Sequence, residues 1–126
     1  MVRVRLTPTR GEAIPITGMA LLDTGASHTH IDRETAETHG FRRLESLRVN
    51  TASQSGSEAQ TYAAVVEILD IPGHREELQV LGFPAPPPPD GQPAADRFIA
   101  LIGWDILDRG RFIYDGAART FTLELP

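Results

Sequence analysis

The sequence predicts a mostly β fold with one or two short helices, contained in a single domain over residues 1–126. Three observations carry this reading. Short runs of alternating or continuous apolar residues recur along the chain, as in "VRVRL" (2–6) and "AAVVEIL" (63–69). Turn-forming pairs, Pro72-Gly73 and Asp115-Gly116, separate several of those runs. Helical patterning is confined to residues 33–39 and a short segment after Gly103.

Taken in order, "VRVRL" alternates apolar and basic residues, which suits a half-exposed strand. "IPITGMALLD" (14–23) is a second strand that becomes fully apolar as it approaches Asp23, and "THI" (29–31) continues extended. Asp32 is placed to cap a helix over 33–39, with Glu34 in the favourable first turn and Gly40 as the stop. The small polar stretch 50–60 lies between "LRV" and "TYAAVVEIL", the pattern of a long hairpin with a mobile tip. Pro72-Gly73 suits the centre of a type II turn leading into "ELQVL" (77–81).

Residues 82–96 hold six of the ten prolines and read as an exposed, partly polyproline loop, unable to form a central strand or a helix. A second reading makes this loop a docking site for a proline-recognising module. "FIALIGWDILDRG" (98–110) is an apolar strand, a glycine and a short helical segment. "RFIYDGAARTFTLEL" (111–125) reads as a hairpin turning at Asp115-Gly116.

Seventeen acidic residues face twelve arginines with no lysine, a net charge of −5, and the arginines are scattered. That balance argues against nucleic acid and anionic membrane as partners, since both select clustered positive charge. With no cysteine, disulfides, thiol catalysis and thiolate metal sites are excluded. The first ten residues lack a signal-peptide core, and no apolar run approaches a membrane span, so a soluble, cytoplasmic domain is expected.

The chemistry concentrates in "ALLDTGASHTHID" (20–32). A carboxylate at a strand end, followed by Thr24-Gly25, is presented while being held in place. Gly25 lets the backbone turn and approach a ligand, and nearby amides can donate to the carboxylate. Thr24 can tie its hydroxyl to the backbone, Ala26 keeps the floor small, and Ser27 can donate to the carboxylate or to a ligand. An Asx-turn ending a strand would use the same residues without chemistry.

"LLDTGASHTHI" resembles the active-site strand and loop of the retroviral-type (retropepsin-like) aspartic proteases. A second match, "ALIGWDIL" (100–107), is similar to that family's late apolar-apolar-Gly-x-Asp/Asn-x-Leu segment, which packs behind the catalytic loop. The polar hairpin tip falls between them, at the place of the family's flap. The resemblance spans residues 14–110 in the right order. It implies a small closed β-barrel of the retropepsin-like acid protease type and an aspartic endopeptidase needing no cofactor or metal. It further implies Asp23 as the catalytic residue and Thr24, Gly25, Ala26 and Ser27 as its supporting loop. Ala52, Ser53, Gln54, Ser55, Gly56 and Ser57 would form a substrate-binding flap, with Gly103, Trp104 and Asp105 packing behind the site. Where viral members usually carry a basic residue, this chain has Trp104, and its flap tip has one glycine, Gly56. Cellular and bacterial members resemble it more closely in these respects.

Aspartic proteolysis requires two carboxylates around one water. Held a few ångströms apart, they cannot both ionise easily, so the dyad keeps a shared proton. This sequence has one D-T-G, and Asp90, Asp108 and Asp115 lie in expected turns. A twofold homodimer, acting on a polypeptide substrate, would supply Asp23 twice. The last strand, with Phe121, Leu123 and Leu125 alternating onto one face, would either join that interface or close its own barrel. Two other readings compete. A retropepsin fold can serve as a non-catalytic dimerisation or peptide-binding module. His28, His30 and Asp32 could share one strand face and hold a metal, though solvated histidines need none; His39 and His74 read as a helix end and a turn.

Overall fold

The computed structural model describes residues 1–11, 13–49 and 57–126. The first strand, β1 (Val2–Pro8), buries Val2, Val4 and Leu6 and turns Arg3 and Arg5 outward, as its alternation predicts. It is followed by β2 (Ile16–Leu22), β3 (His30–Asp32), α1 (Arg33–Thr38), β4 (Arg42–Arg43), β5 (Leu47–Val49) and β6 (Ser57–Ala59). The second half contains β7 (Thr61–Ile68), β8 (Glu76–Phe83), β9 (Phe98–Ile102), α2 (Trp104–Leu107), β10 (Arg111–Asp115) and β11 (Thr120–Glu124).

Six strands hydrogen-bond in the order β1-β2-β9-β3-β8-β7, and β7 pairs back onto β1, so the sheet closes into a barrel with β4 added on β7. Closure leaves those six strands without an open edge. Two contacts are parallel, β2 with β9 and β3 with β8; the others in the barrel are antiparallel. Inside lie Val4, Leu6, Ile31, Tyr62, Val66, Ile68, Val80 and Ile102, each at most 1% exposed. Outside, register partners Arg5 and Glu67 form a two-pronged ion pair of 2.8 and 3.0 Å across the β1–β7 seam.

The local signals hold. Asp32 caps α1, its carboxylate accepting from the Thr35 amide at 3.2 Å and the Thr35 hydroxyl at 2.7 Å. His39 is the residue at the helix end, and Gly40 follows at φ +71°, a left-handed stop that a side chain would resist. Gly73 has φ +80°, as the third position of a type II turn requires. β5 and β6 pair antiparallel from Leu47–Ala59 to Val49–Ser57, the base of the expected hairpin. Its tip, including Ala52, Ser53, Gln54, Ser55 and Gly56, lies outside the described residues, whereas Ser57 opens β6.

Three expectations need correction. Gly82 and Phe83 belong to β8, so the proline-rich loop begins at Pro84; its far end is a single 3-10 turn at Ala94–Asp96. The terminal hairpin does not turn on Asp115-Gly116 alone. Asp115 pairs with Thr120, leaving a four-residue loop in which the Asp115 carboxylate accepts from the amides of Ala117 and Ala118. β11 does not close the barrel, because β7 does; β10 and β11 form a separate two-stranded sheet. His74 closes the Pro72-Gly73 turn, its amide donating to the Ile71 carbonyl at 3.2 Å, and it is buried there at 5% exposure, its Nδ1 accepting from the Ile68 amide at 3.1 Å. The Pro72-Gly73 turn folds it back under the end of β7.

No helix among the described residues is long and apolar enough to cross a membrane.

Candidate active site

β2 ends at Leu22 and delivers Asp23 half-buried at the mouth of the loop 23–29. Three backbone contacts fix it. The Asp23 amide donates to the Ile102 carbonyl at 2.9 Å, continuing the parallel β2–β9 ladder by one residue. The Gly25 amide donates to Asp23 Oδ1 at 2.9 Å, and the Ala26 amide to the Asp23 carbonyl at 3.1 Å. The turn therefore orients one carboxylate oxygen and leaves the other without a partner among the described residues. Gly25 suits this geometry because a Cβ there would stand 3.2 Å from that bound oxygen.

The segment after β9 braces the loop from behind. Trp104 donates its amide to the Ala26 carbonyl at 2.9 Å and its indole Nε1–H to the Thr24 carbonyl at 2.7 Å. Asp105 accepts from the Thr29 amide at 2.8 Å and the Thr29 hydroxyl at 2.6 Å, and that hydroxyl accepts from the Gly103 amide at 3.3 Å. Gly103 has no room for a side chain, since a Cβ would collide with the His28 carbonyl. Gly103, Trp104 and Asp105 thus lie against the loop through Thr24, Ala26 and Thr29. Ser27 differs: its hydroxyl lies 3.4 Å from His28 Nδ1 and not on Asp23. Thr24 contributes its carbonyl to the brace.

Thr29 is the residue that sequence reasoning missed. It is fully buried and ties its own loop to Gly103 and Asp105, and to β8 through its carbonyl, which accepts from the Leu81 amide at 3.1 Å. A polar residue between two histidines on an otherwise exposed loop gave one signal: a small hydroxyl residue leading into a strand.

The histidine face does not assemble a metal site. Asp32 is buried and committed to Thr35 and to the Ala85 amide, and His30 Nδ1 is engaged by the His28 carbonyl at 2.8 Å. Among the described residues, no group of three metal-capable side chains comes together. Burial pushes His30 below the usual imidazole range, against the opposing pull of the His28 carbonyl and the charges of Asp23 and Asp105.

A groove of about 430 Å³ opens beside the loop, lined by Leu21, Leu22, Thr24, Phe112, Tyr114 and Phe121. Its apolar residues are unusually open for their type: Leu21 is 42%, Tyr114 66% and Phe121 40% exposed.

The D-T-G turn at the end of β2 is thus hydrogen-bonded to the Gly-Trp-Asp segment that follows β9. The family profile described as Aspartyl protease matches residues 10–106, which include both segments, and the chain belongs to the aspartyl protease family. A retropepsin-like aspartic protease from Rickettsia conorii is a similar solved structure, 21% identical over 90% of this chain and 75% of that one, with a TM-score of 0.47. No curated protein sequence matches.

Proposed function

We propose that this chain is one half of an aspartic endopeptidase, in which Asp23 from each of two chains faces one water across a twofold axis. The observation that carries the reading is the state of the carboxylates around the loop. Asp23 keeps one oxygen uncommitted among the described residues, whereas Asp105, the other acid beside the loop, has both oxygens taken by Thr29. A dyad within one chain has no second member there, and a second copy supplies it.

In the proposed reaction, one Asp23 carboxylate takes a proton from the water as it attacks the scissile carbonyl. The protonated partner donates to the carbonyl oxygen. The tetrahedral intermediate collapses when a proton passes to the leaving amine. The Trp104 and Ile102 contacts to Thr24 and Asp23 keep the loop backbone from shifting as charge moves across the pair. The open apolar groove beside Thr24 suits the face that a second copy would cover. The hairpin based on β5 and β6 would close over the polypeptide substrate.

The test is hydrolysis of an unstructured protein between pH 4 and 7, with and without a pepstatin-type inhibitor, by wild type and Asp23→Asn. Wild type is expected to cut and to be inhibited; Asp23→Asn is expected to remain folded and inactive. A variant that still turns over in a clean preparation overturns the mechanism. A wild type that dimerises and binds peptide without cutting it makes the chain a binding module.

A further inference from the structure

Residues 84–97 join β8 to β9 and have no role in the reaction proposed above. Phe83, Ala85, Pro86, Pro87 and Pro88 each precede a proline, which disfavours the helical region for them, and each proline ring holds its own φ near −65°. The run Pro84–Pro89 therefore favours the polyproline II form, with three residues per turn and a rise of about 3.1 Å each. In that helix Pro84 aligns with Pro87, and Pro86 with Pro89, giving two ridges.

The run is pinned at both ends. The Ala85 amide donates to Asp32 Oδ1 at 3.2 Å, on a carboxylate already fixed by the cap of α1. Beyond Pro89 the chain turns, the Gln92 amide donating to the Pro89 carbonyl at 3.2 Å while Gly91 takes φ +76°. The following 3-10 turn is clasped by Arg3, whose guanidinium donates to the Ala95 carbonyl and to Asp96, both at 3.0 Å. Between the anchors, Pro86, Pro87, Pro88 and Pro89 are all exposed. The carbonyls of Pro86, Pro87 and Pro88 accept no hydrogen bond among the described residues.

From this arrangement we infer that Pro84–Pro89 is a docking ligand for a partner protein with an aromatic-lined groove that reads polyproline II, with a basic residue at the end that meets Asp90. Such grooves stack aromatic rings against proline ridges and donate hydrogen bonds to the carbonyls between them. Here the four prolines are exposed and the carbonyls between them are unbonded among the described residues, and the pinned ends mean that little chain entropy is lost on binding. Asp90 stands exposed at the C-terminal end of the run and forms no ion pair among the described residues, in a chain of net charge −5. A run that served only to span two strands would need neither four consecutive prolines nor an anchor at each end. The inference does not depend on peptide hydrolysis.

The intact protein, as wild type and as Asp23→Asn, is titrated with three purified probes: an SH3, a WW and an EVH1 domain. Binding is read from the probe's tryptophan fluorescence and from the amide resonances of Ala85, Asp90, Gly91 and Gln92. At least one probe is expected to saturate equally with both proteins. Replacing Pro86 and Pro87 together by Ala should weaken it by about tenfold or more, and Asp90→Asn should weaken it less and reduce its salt dependence. The exposed prolines can be replaced without unfolding the barrel, which a thermal melt checks. Failure of all three probes to saturate overturns the inference, as does a double variant that binds as tightly as wild type.

Discussion

The indole nitrogen of Trp104 donates a 2.7 Å hydrogen bond to the carbonyl oxygen of Thr24, tying the first residue of α2 to the residue after Asp23. A neutral donor at this position restrains the loop backbone without placing a charge beside the carboxylate. Trp104→Phe keeps an aromatic body and removes the donor. We expect it to cost about 1 kcal/mol of stability and to lower kcat several-fold with KM little changed, because the loop holds the carboxylate and not the substrate. Thermal melts and steady-state kinetics on a peptide substrate check this. Unchanged kcat would show that the amide bond from Trp104 to Ala26 suffices.

Asp105 and Thr29 form the second clasp, and Thr29 is fully buried. Asp105→Ala leaves the Thr29 amide and hydroxyl without their acceptor and is expected to destabilise the fold by about 2–4 kcal/mol. Asp105→Asn restores one acceptor oxygen and should recover roughly half of that loss. Urea unfolding of the three proteins measures the series, and equal stability of Asp105→Ala and wild type would contradict it.

His74 predicts a pH dependence. Burial pushes its imidazole below the ordinary value, outweighing the opposing attraction of Glu76 and Glu67; Arg5, Arg75 and Arg109 stand around those two carboxylates. The native state therefore prefers the neutral ring, whose Nδ1 must remain unprotonated to accept from Ile68. The unfolded chain takes up its proton first as pH falls, at about 6.5. Stability contributed by the neutral ring is complete above that pH, declines below it, and levels off once the folded-state ring also protonates. Melting temperatures from pH 8 to pH 5 should show the decline, and His74→Asn, which keeps an acceptor near Nδ1, should flatten it.

The hairpin makes the dimer testable. Phe121→Ser and Tyr114→Ser change exposed side chains outside the closed barrel, so both variants are expected to fold with near wild-type stability. If a second copy covers the groove beside Thr24, they should weaken self-association by about tenfold or more and make activity fall more steeply on dilution. Sedimentation across a concentration range, with activity on the same samples, measures both. An intact protein that stays monomeric at every concentration and cleaves with strict proportionality to its amount would overturn the shared-carboxylate reaction.

What the sequence made legible was local. The alternation in β1, the cap at Asp32, the stop at Gly40 and the left-handed Gly73 each depend on residues within one turn of chain, where propensity and side-chain chemistry decide. The D-T-G turn and its Gly-Trp-Asp partner were legible as two motifs. Their bonding was not, because Thr29 and Asp105 are 76 residues apart and only the closed barrel brings them together. The burial of His74 was hidden for a related reason: a turn signal fixes where the chain reverses, not what then lies over it. The hairpin residues Phe121, Leu123 and Leu125 alternated as expected. Whether such a stripe meets its own core or another molecule is decided by how many strands the barrel already has.

The closure of the barrel also bears on how the protein is made. β1 pairs with β7, so residue 4 meets residue 68, and β2 lies between β1 and β9, so residue 20 must wait for residue 100. During synthesis the first two strands can form a hairpin at once, but their core-facing apolar side chains stay uncovered until most of the chain has emerged. Folding that depends on such distant pairings is slow, since long loops must be closed before their contacts stabilise anything. Partly made chains would then expose Val2, Val4 and Ala20 together, a surface open to capture by chaperones or to aggregation.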